Sequence, residues 1–261
     1  MKRALVTGAA RRLGREMALF LASRGHDVAI HYATSAPEAE ATAEAARLLG
    51  VRAVTLAADL LDEEQTGLLV GRAGEALGGP LTVLVNNAST FDYDNIRSAS
   101  RRTWDRNIGT NLRAPFVLTQ AFAAQCPPAE QGPDGLRARG LVINMLDQRV
   151  RKLTPEFMSY TIAKMGLWAF TQTAARALAP QIRVNAIGPG STLRGAHQSQ
   201  VQFDGQRAAS ILGRGADPAD IVAALAYFLD APAVTGQLLC VDGGQHLGWQ
   251  TPDIMGGRDQ S

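Results

Sequence analysis

Tyr160 and Lys164 are the two side chains whose types and spacing first suggest chemistry. They lie in Ser159-Tyr160-Thr161-Ile162-Ala163-Lys164, near the start of a stretch, Phe157 to Ala179, patterned as one long helix. Residues four apart share a helix face, so phenol and ammonium can meet. A phenol ordinarily titrates at about pH 10. A nearby ammonium favours the phenolate and brings that value towards the working pH, where a proton donor is most useful. The same spacing arises by chance on many surface helices, so it needs support from the rest of the chain.

A second motif supplies it. Thr7-Gly8-Ala9-Ala10-Arg11-Arg12-Leu13-Gly14 falls between a first apolar run and a first helical pattern. Glycine lets the backbone turn tightly and approach a phosphate, and the following helix start offers N–H groups and a positive dipole end. In that position the turn points to a dinucleotide; a GxxxxGK[ST] loop for ATP is absent. Sites that prefer NAD carry an acid roughly 20 residues on, for the adenine ribose. Here the second strand ends His31-Tyr32-Ala33-Thr34-Ser35, and no acid precedes Glu38. Arg11, Arg12, His31 and Ser35 could instead receive a 2′-phosphate by charge or hydrogen bonds. The expected cofactor is NADP(H).

The elements that must position these residues alternate. Strands are expected at Arg3–Thr7, Asp27–His31, Val51–Ala57, Leu81–Asn86, Leu141–Met145, Ile182–Ile187 and Gln237–Val241. Helices are expected at Leu13–Arg24, from Pro37 to Gly50, at Asp62–Leu77, over roughly 100–126, at Phe157–Ala179 and at Pro218–Leu229. Cys126 to Arg139, with its prolines and glycines, reads as a surface loop, and 189–215 as irregular with some helix. Strict alternation predicts a single α/β domain over 1–261, doubly wound and Rossmann-type. Its parallel sheet should have about seven strands with helices on both faces. Such sheets bind ligands beyond the carboxyl ends of their strands, where every motif here falls.

Bulk properties narrow the partners. The chain has 261 residues, 46% hydrophobic and 19% charged, with a net charge of +2. That is a globular composition, and its scattered arginines give no stripe for nucleic acid. Cys126 and Cys240 lie far apart, and His197 and His246 have no metal-site spacing, so no metal is expected. The N-terminus lacks a signal-peptide pattern, and no run approaches the roughly 18 apolar residues of a membrane span. A soluble, cytoplasmic protein with no membrane or nucleic-acid partner is expected.

In family order the chain resembles the short-chain dehydrogenase/reductases over almost its whole length. The matching pieces are the Thr7-Gly8 turn, Asp59-Leu60, Asn86-Asn87-Ala88, Asn111 in Thr110-Asn111-Leu112, and Tyr160 with Lys164. Ile182-Arg183-Val184-Asn185 running to Pro189-Gly190, and Thr235-Gly236-Gln237 to Val241-Asp242-Gly243-Gly244, complete the set. The resemblance implies that Tyr160 donates a proton, that Lys164 binds the nicotinamide ribose and tunes the tyrosine, and that Asn111 holds a water in the proton relay. It further implies a cofactor lined by Gly8, Leu13, Gly14, Tyr32, Asp59, Leu60, Asn87, Ala88, Ser89, Pro189, Gly190 and Ser191. It suggests a homo-oligomer, a tetramer built from helix faces and the C-terminal segment.

Two departures resemble the pteridine reductases and dihydromonapterin reductases, which use NADPH. Asp147 stands where the family usually has serine, and Arg12 replaces the middle glycine of TGxxxGxG. Asn86-Asn87-Ala88-Ser89-Thr90-Phe91 and His31-Tyr32 with Ser35 match the same subgroup. Phe91 could stack on a flat pterin, Arg12 and Ser89 could hydrogen-bond it, and Asp147 with Tyr160 could deliver a proton to ring nitrogen. Residues 191–215 would form a substrate lid, and Arg149-Val150-Arg151-Lys152 most simply a solvated loop. The expected function is reduction of a small substrate, a dihydropterin or folate-type C=N bond. A reductase of another small carbonyl compound, or a nucleotide-sensing protein without catalysis, stays open as an alternative.

Overall fold

Short apolar runs set the sheet, and it is their two-residue period that decides which way each side chain packs. The computed structural model describes residues 2–133, 135–195 and 198–249. The chain runs β1 (Lys2–Val6), α1 (Arg12–Ser23), β2 (His26–Tyr32), α2 (Ala36–Arg47), β3 (Ala53–Ala57), α3 (Glu63–Leu77) and β4 (Val83–Asn86). It continues with α4 (Arg101–Ile108), a π-helical turn (Gly109–Arg113), α5 (Ala114–Gln125) and a hairpin of β5 (Glu130–Gly132) and β6 (Gly135–Arg137). Then come β7 (Gly140–Met145), α6 (Met158–Leu178), β8 (Ile182–Pro189), α7 (Gln200–Ala208), α8 (Pro218–Asp230) and β9 (Leu238–Val241).

Seven strands form one sheet in the order β3-β2-β1-β4-β7-β8-β9, and every pairing in it is parallel. Consecutive residues of a strand face opposite layers. Ala4 and Val6 of β1 pack with α1 and α8 through Met17, Leu21 and Phe228. Leu5, between them, packs with α3 and α5 through Leu69, Leu118 and Phe122. Leu84 of β4 and Val142 of β7 join that second layer, while their neighbours Val83, Val85, Leu141 and Ile143 join the first. Both faces are covered, which is why these strands read as near-continuous apolar runs. The strand order reverses between β1 and β4, and a ligand crevice is expected there.

Local signals end the helices. The Asp62 side chain accepts from the Gln65 N–H at the start of α3, and Gly78, at φ +77°, closes it in the left-handed region that suits glycine. Ser100 and Thr103 form a reciprocal capping box on α4.

Three expectations are corrected. The helix over 100–126 is interrupted by a π-helical turn, a feature that side-chain periodicity does not announce. The segment expected as surface loop after Cys126 carries the β5–β6 hairpin, which pairs only with itself. β8 runs on to Pro189, two residues past the expected end, because it pairs there with Val241 of β9. Both cysteines are free thiols. Among the described residues there is no cluster of three potential metal ligands, and no helix is long and apolar enough to cross a membrane. His197 and the segment 250–261 lie outside the described residues.

Candidate active site

The phosphate-type turn is built from packing that only glycine permits. A Cβ on Gly14 would lie 2.3 Å from the Gly8 carbonyl oxygen and 2.5 Å from Asn87 Nδ2. Gly8 itself sits at φ +61°. Asn87 Nδ2 donates to the carbonyls of Thr7 (2.8 Å) and Gly8 (3.1 Å). The Thr7 hydroxyl in turn accepts from the backbone N–H of Asn87 and of Ala88. Thr7 thus clamps the ends of β1 and β4, a part the sequence reading did not assign it. At the start of α1 no side chain caps the helix and no acid lies in the first turn. The uncapped N–H groups and the positive helix end fit an anionic dinucleotide.

His31 is corrected. Its ring is 2% exposed. Nδ1 accepts from the Gly8 N–H at 3.0 Å, and Nε2 donates to the Ala58 carbonyl at 3.1 Å. Burial lowers its pKa to about 4, so it is neutral and offers neither charge nor a free donor to a 2′-phosphate. It shapes the turn instead. Arg11 is exposed and lies 3.9 Å from Glu38, and Ser35 precedes α2 without capping it. Tyr32 packs on the core, and Leu60 is buried beside Leu56 and Leu69. The exposed Asp59 accepts from the Leu61 N–H at 3.0 Å. A Cβ on Gly190 would lie 2.6 Å from Asp242 Cβ, which explains glycine between Pro189 and Ser191.

Arg12, the first residue of α1, has φ +56°. For a side chain bearing a Cβ this costs roughly 1–2 kcal/mol. Its guanidinium donates to the carbonyls of Leu193 (3.2 Å) and Arg194 (3.0 Å) rather than into the sheet.

Tyr160 and Lys164 sit on α6, with Lys164 at the carboxyl end of β7. Tyr160 is 5% exposed, and its hydroxyl donates to Asp147 Oδ2 at 2.9 Å. Asp147 Oδ1 accepts from the Arg149 N–H at 2.8 Å, which fixes the carboxyl. Lys164 is buried, and its Nζ donates to the Met145 carbonyl at 2.7 Å and lies 5.5 Å from the Tyr160 ring centroid. Burial lowers Lys164 to about 8, partly offset by Asp147. The phenol is held well above its ordinary value, first by burial and then by the charge and hydrogen bond of Asp147; Arg149 and a hydrogen bond with Ser89 act against this. The expectation of a phenol lowered by Lys164 is therefore not met. The environment keeps Tyr160 protonated, as a donor must be.

Asn111 falls in the π-helical turn and is fully buried. Its Oδ1 accepts from the Ser89 hydroxyl at 2.6 Å, and its Nδ2 donates to the Thr90 carbonyl at 3.0 Å. The side chain thus holds the loop after β4 rather than Tyr160 or Lys164. A ladder through Asn86, Asn144 and Thr171 ties β4 and β7 to α6 by hydrogen bonds of 2.8 and 2.9 Å. The fully buried Asp94 accepts from the Ser159 N–H at 3.0 Å and from the Ser159 hydroxyl, at the very start of α6. Neither network was legible in the sequence, because each joins segments far apart in the chain.

An aromatic wall stands beside Tyr160. Phe91 stacks on Phe157 with centroids 4.0 Å apart and meets Tyr160 edge-on at 4.7 Å. Phe91 is 51% exposed, so it is no core residue. The Arg149 guanidinium lies 5.1 Å above Phe157, and Arg151 lies over Trp168 at 5.6 Å. Arg151 and Lys152 are exposed, as expected of a solvated loop, whereas Arg149 is half-buried and Val150 buried. A cavity of about 1440 Å³ extends from Asp147, Phe91 and Phe157 to Arg12, Leu193 and Gln206 in the 191–215 segment.

Residues 8–246 match the family model described as enoyl-(acyl carrier protein) reductase. A solved structure of FolM alternative dihydrofolate reductase 1 from Brucella suis, in complex with NADP, is 41% identical with a TM-score of 0.89, covering 97% of this chain and 98% of that one. An uncharacterized oxidoreductase of Mycobacterium tuberculosis is 38% identical over 97% of this chain and 96% of its own length. The 3-oxoacyl-[acyl-carrier-protein] reductase FabG of Staphylococcus aureus is 34% identical over 94% and 98%. With the family-model match over residues 8–246 and these relatives aligned over nearly the whole length, the chain belongs to the short-chain dehydrogenase/reductase family of oxidoreductases.

Proposed function

We propose that the protein is an NADPH-dependent reductase of a dihydropterin or folate-type C=N bond. The observation that carries this reading is the Asp147 carboxyl, 2.9 Å from the Tyr160 hydroxyl, where the family usually places serine. Reduction of a carbonyl and reduction of a C=N bond each place a proton on the heteroatom, which Tyr160 can supply in both. At position 147 a serine hydroxyl can donate to a carbonyl oxygen, whereas a carboxylate, an acceptor, suits the N–H groups of a nitrogen heterocycle. Phe91, half exposed beside Tyr160, offers an apolar face to a flat ring. Similarity to FolM alternative dihydrofolate reductase supports the same substrate class.

Gly8, Gly14 and the open start of α1 would hold the cofactor's phosphates, with Arg11 and Ser35 at the 2′-phosphate. Asp59, Leu60, Ala88, Ser89, Pro189, Gly190, Ser191 and Lys164 would line the rest. The bound nicotinamide supplies the hydride. Tyr160 would donate the proton, Asp147, accepting from its hydroxyl, would orient it, and Lys164 would place a charge near the phenol.

The test is NADPH consumption, followed at its absorbance band, with dihydrobiopterin, dihydromonapterin, dihydrofolate and a panel of ketones. Turnover of a dihydropterin above every ketone supports the reading; wild-type enzyme that ignores all pterins removes it. Similarity to a 3-oxoacyl reductase favours a ketone as the second reading. We further infer a cytoplasmic homo-oligomer. The exposed Trp104 of α4 and Ile162 and Met165 of α6 offer apolar helix surface for contact, and the mass in solution by light scattering decides it.

A further inference from the structure

Among the described residues, only Arg12 and Phe157 are non-glycine residues with positive φ, and both line the large cavity. Strain of this kind persists where the surroundings hold it, and it collects at functional sites. At Arg12 the holder is visible. Its two terminal nitrogens donate to consecutive carbonyls, those of Leu193 and Arg194, across more than 180 positions of sequence. Leu193 lines the same cavity as Phe91 and Asp147. The planar guanidinium fork suits a pair of parallel bonds, which a single ammonium cannot reproduce. The rest of the segment is tied mostly to itself or to the far side of the cavity. Ser191 bonds Gln206, Arg194 bonds the Gln198 carbonyl, and Arg207 bonds the carbonyls of Ser191 and Ala216.

We propose that Arg12 is a positioning residue that latches the 191–195 segment of the substrate lid to the phosphate-binding turn, so that an intact turn sets the lid over the reacting centre. Glycine at this position would relax the backbone but lose the latch; this chain keeps the strained arginine. The inference rests on the reductase reading of the site and not on a pterin as substrate.

Arg12→Gly separates the two effects, because it relieves the left-handed backbone and removes both bonds. Arg12→Lys keeps the backbone strain and the charge but not the fork. The readout is trypsin cleavage after the exposed Arg194 in the full-length protein saturated with NADPH, alongside Tm and steady-state kinetics. Loss of two hydrogen bonds to the lid should speed cleavage about tenfold in Arg12→Gly, with an intermediate rate in Arg12→Lys. Tm should be unchanged or higher in Arg12→Gly, and KM for the reduced substrate should rise more than kcat falls. Cleavage after Arg194 at the wild-type rate in both variants overturns the proposal. So does NADPH that by itself accelerates cleavage of the wild-type protein, since Arg12 would then have left the lid for the cofactor. Proteolysis needs no substrate, so the latch is decided even if no pterin is reduced. Should Arg12→Gly fail to fold, the Arg12→Lys rate decides alone.

Discussion

The Tyr160 hydroxyl donates to Asp147 Oδ2 at 2.9 Å, and the same carboxyl is fixed through its other oxygen by the Arg149 N–H at 2.8 Å. A donor and its neighbour are thereby set in one geometry, with Asp147 lining the cavity. Tyr160→Phe keeps the ring and removes the donor. Turnover should fall about 10²–10⁴-fold, the usual share of general acid catalysis, with NADPH binding largely retained. Near-wild-type turnover in a folded variant would show that the proton comes from elsewhere.

Asp147→Ser restores the usual family residue. It should reduce turnover of a dihydropterin while sparing or improving any ketone the enzyme accepts. Phe91→Ala should weaken pterin binding by about 0.5–1.5 kcal/mol, with little effect on NADPH. Kinetics of both variants on both substrate types are the measurement. Pterin turnover equal to wild type in both would remove Asp147 and Phe91 from the substrate site.

Cofactor choice should rest on Arg11 rather than on the buried His31. NADPH is expected to be preferred over NADH by at least about tenfold, or roughly 1.4 kcal/mol. Arg11→Ala should cut that preference by raising KM for NADPH alone. Equal efficiency of the wild type with both cofactors would refute the assignment.

Gly14→Ala should be severe. The added Cβ would lie 2.3 Å from the Gly8 carbonyl and 2.5 Å from Asn87 Nδ2, so the turn must shift. Overpacking of this kind costs typically about 1–3 kcal/mol. Calorimetric loss of NADPH binding together with a lower Tm is expected; unchanged affinity would mean the turn does not touch the cofactor.

The two buried histidines of β2 should make the fold acid-sensitive. Burial lowers His26 and His31 to about 4 from an ordinary 6.5. Between these values the unfolded chain binds protons that the native chain excludes, so stability present above pH 6.5 is lost as pH falls towards 4. The full difference is on the order of 3 kcal/mol per histidine. Urea midpoints should drop from pH 7 to 4.5, and His31→Gln, which offers an acceptor and a donor without titrating, should flatten the slope. A flat wild-type profile would contradict the neutral, buried rings.

The sequence by itself determined the alternation of strands and helices, the parallel sheet, the turn at Gly8 to Gly14 and the Tyr160–Lys164 spacing. These are local properties: period-two and period-3.6 patterns and short motifs act within a few residues of chain. It also singled out Asp147 and Arg12 as departures, because a motif shows where it is broken. Tertiary structure alone decided what those departures do. Arg12 turns to Leu193 and Arg194, Phe91 meets Phe157, and Asp94 holds Ser159 across 65 positions. The same holds for charge. His31 reads as a source of charge or hydrogen bonds for a phosphate, and only its burial under the turn, with both ring nitrogens engaged by backbone, makes it neutral and occupied. Ionisation and contact depend on desolvation and on partners brought from distant segments, and neither quantity is written in the order of residues.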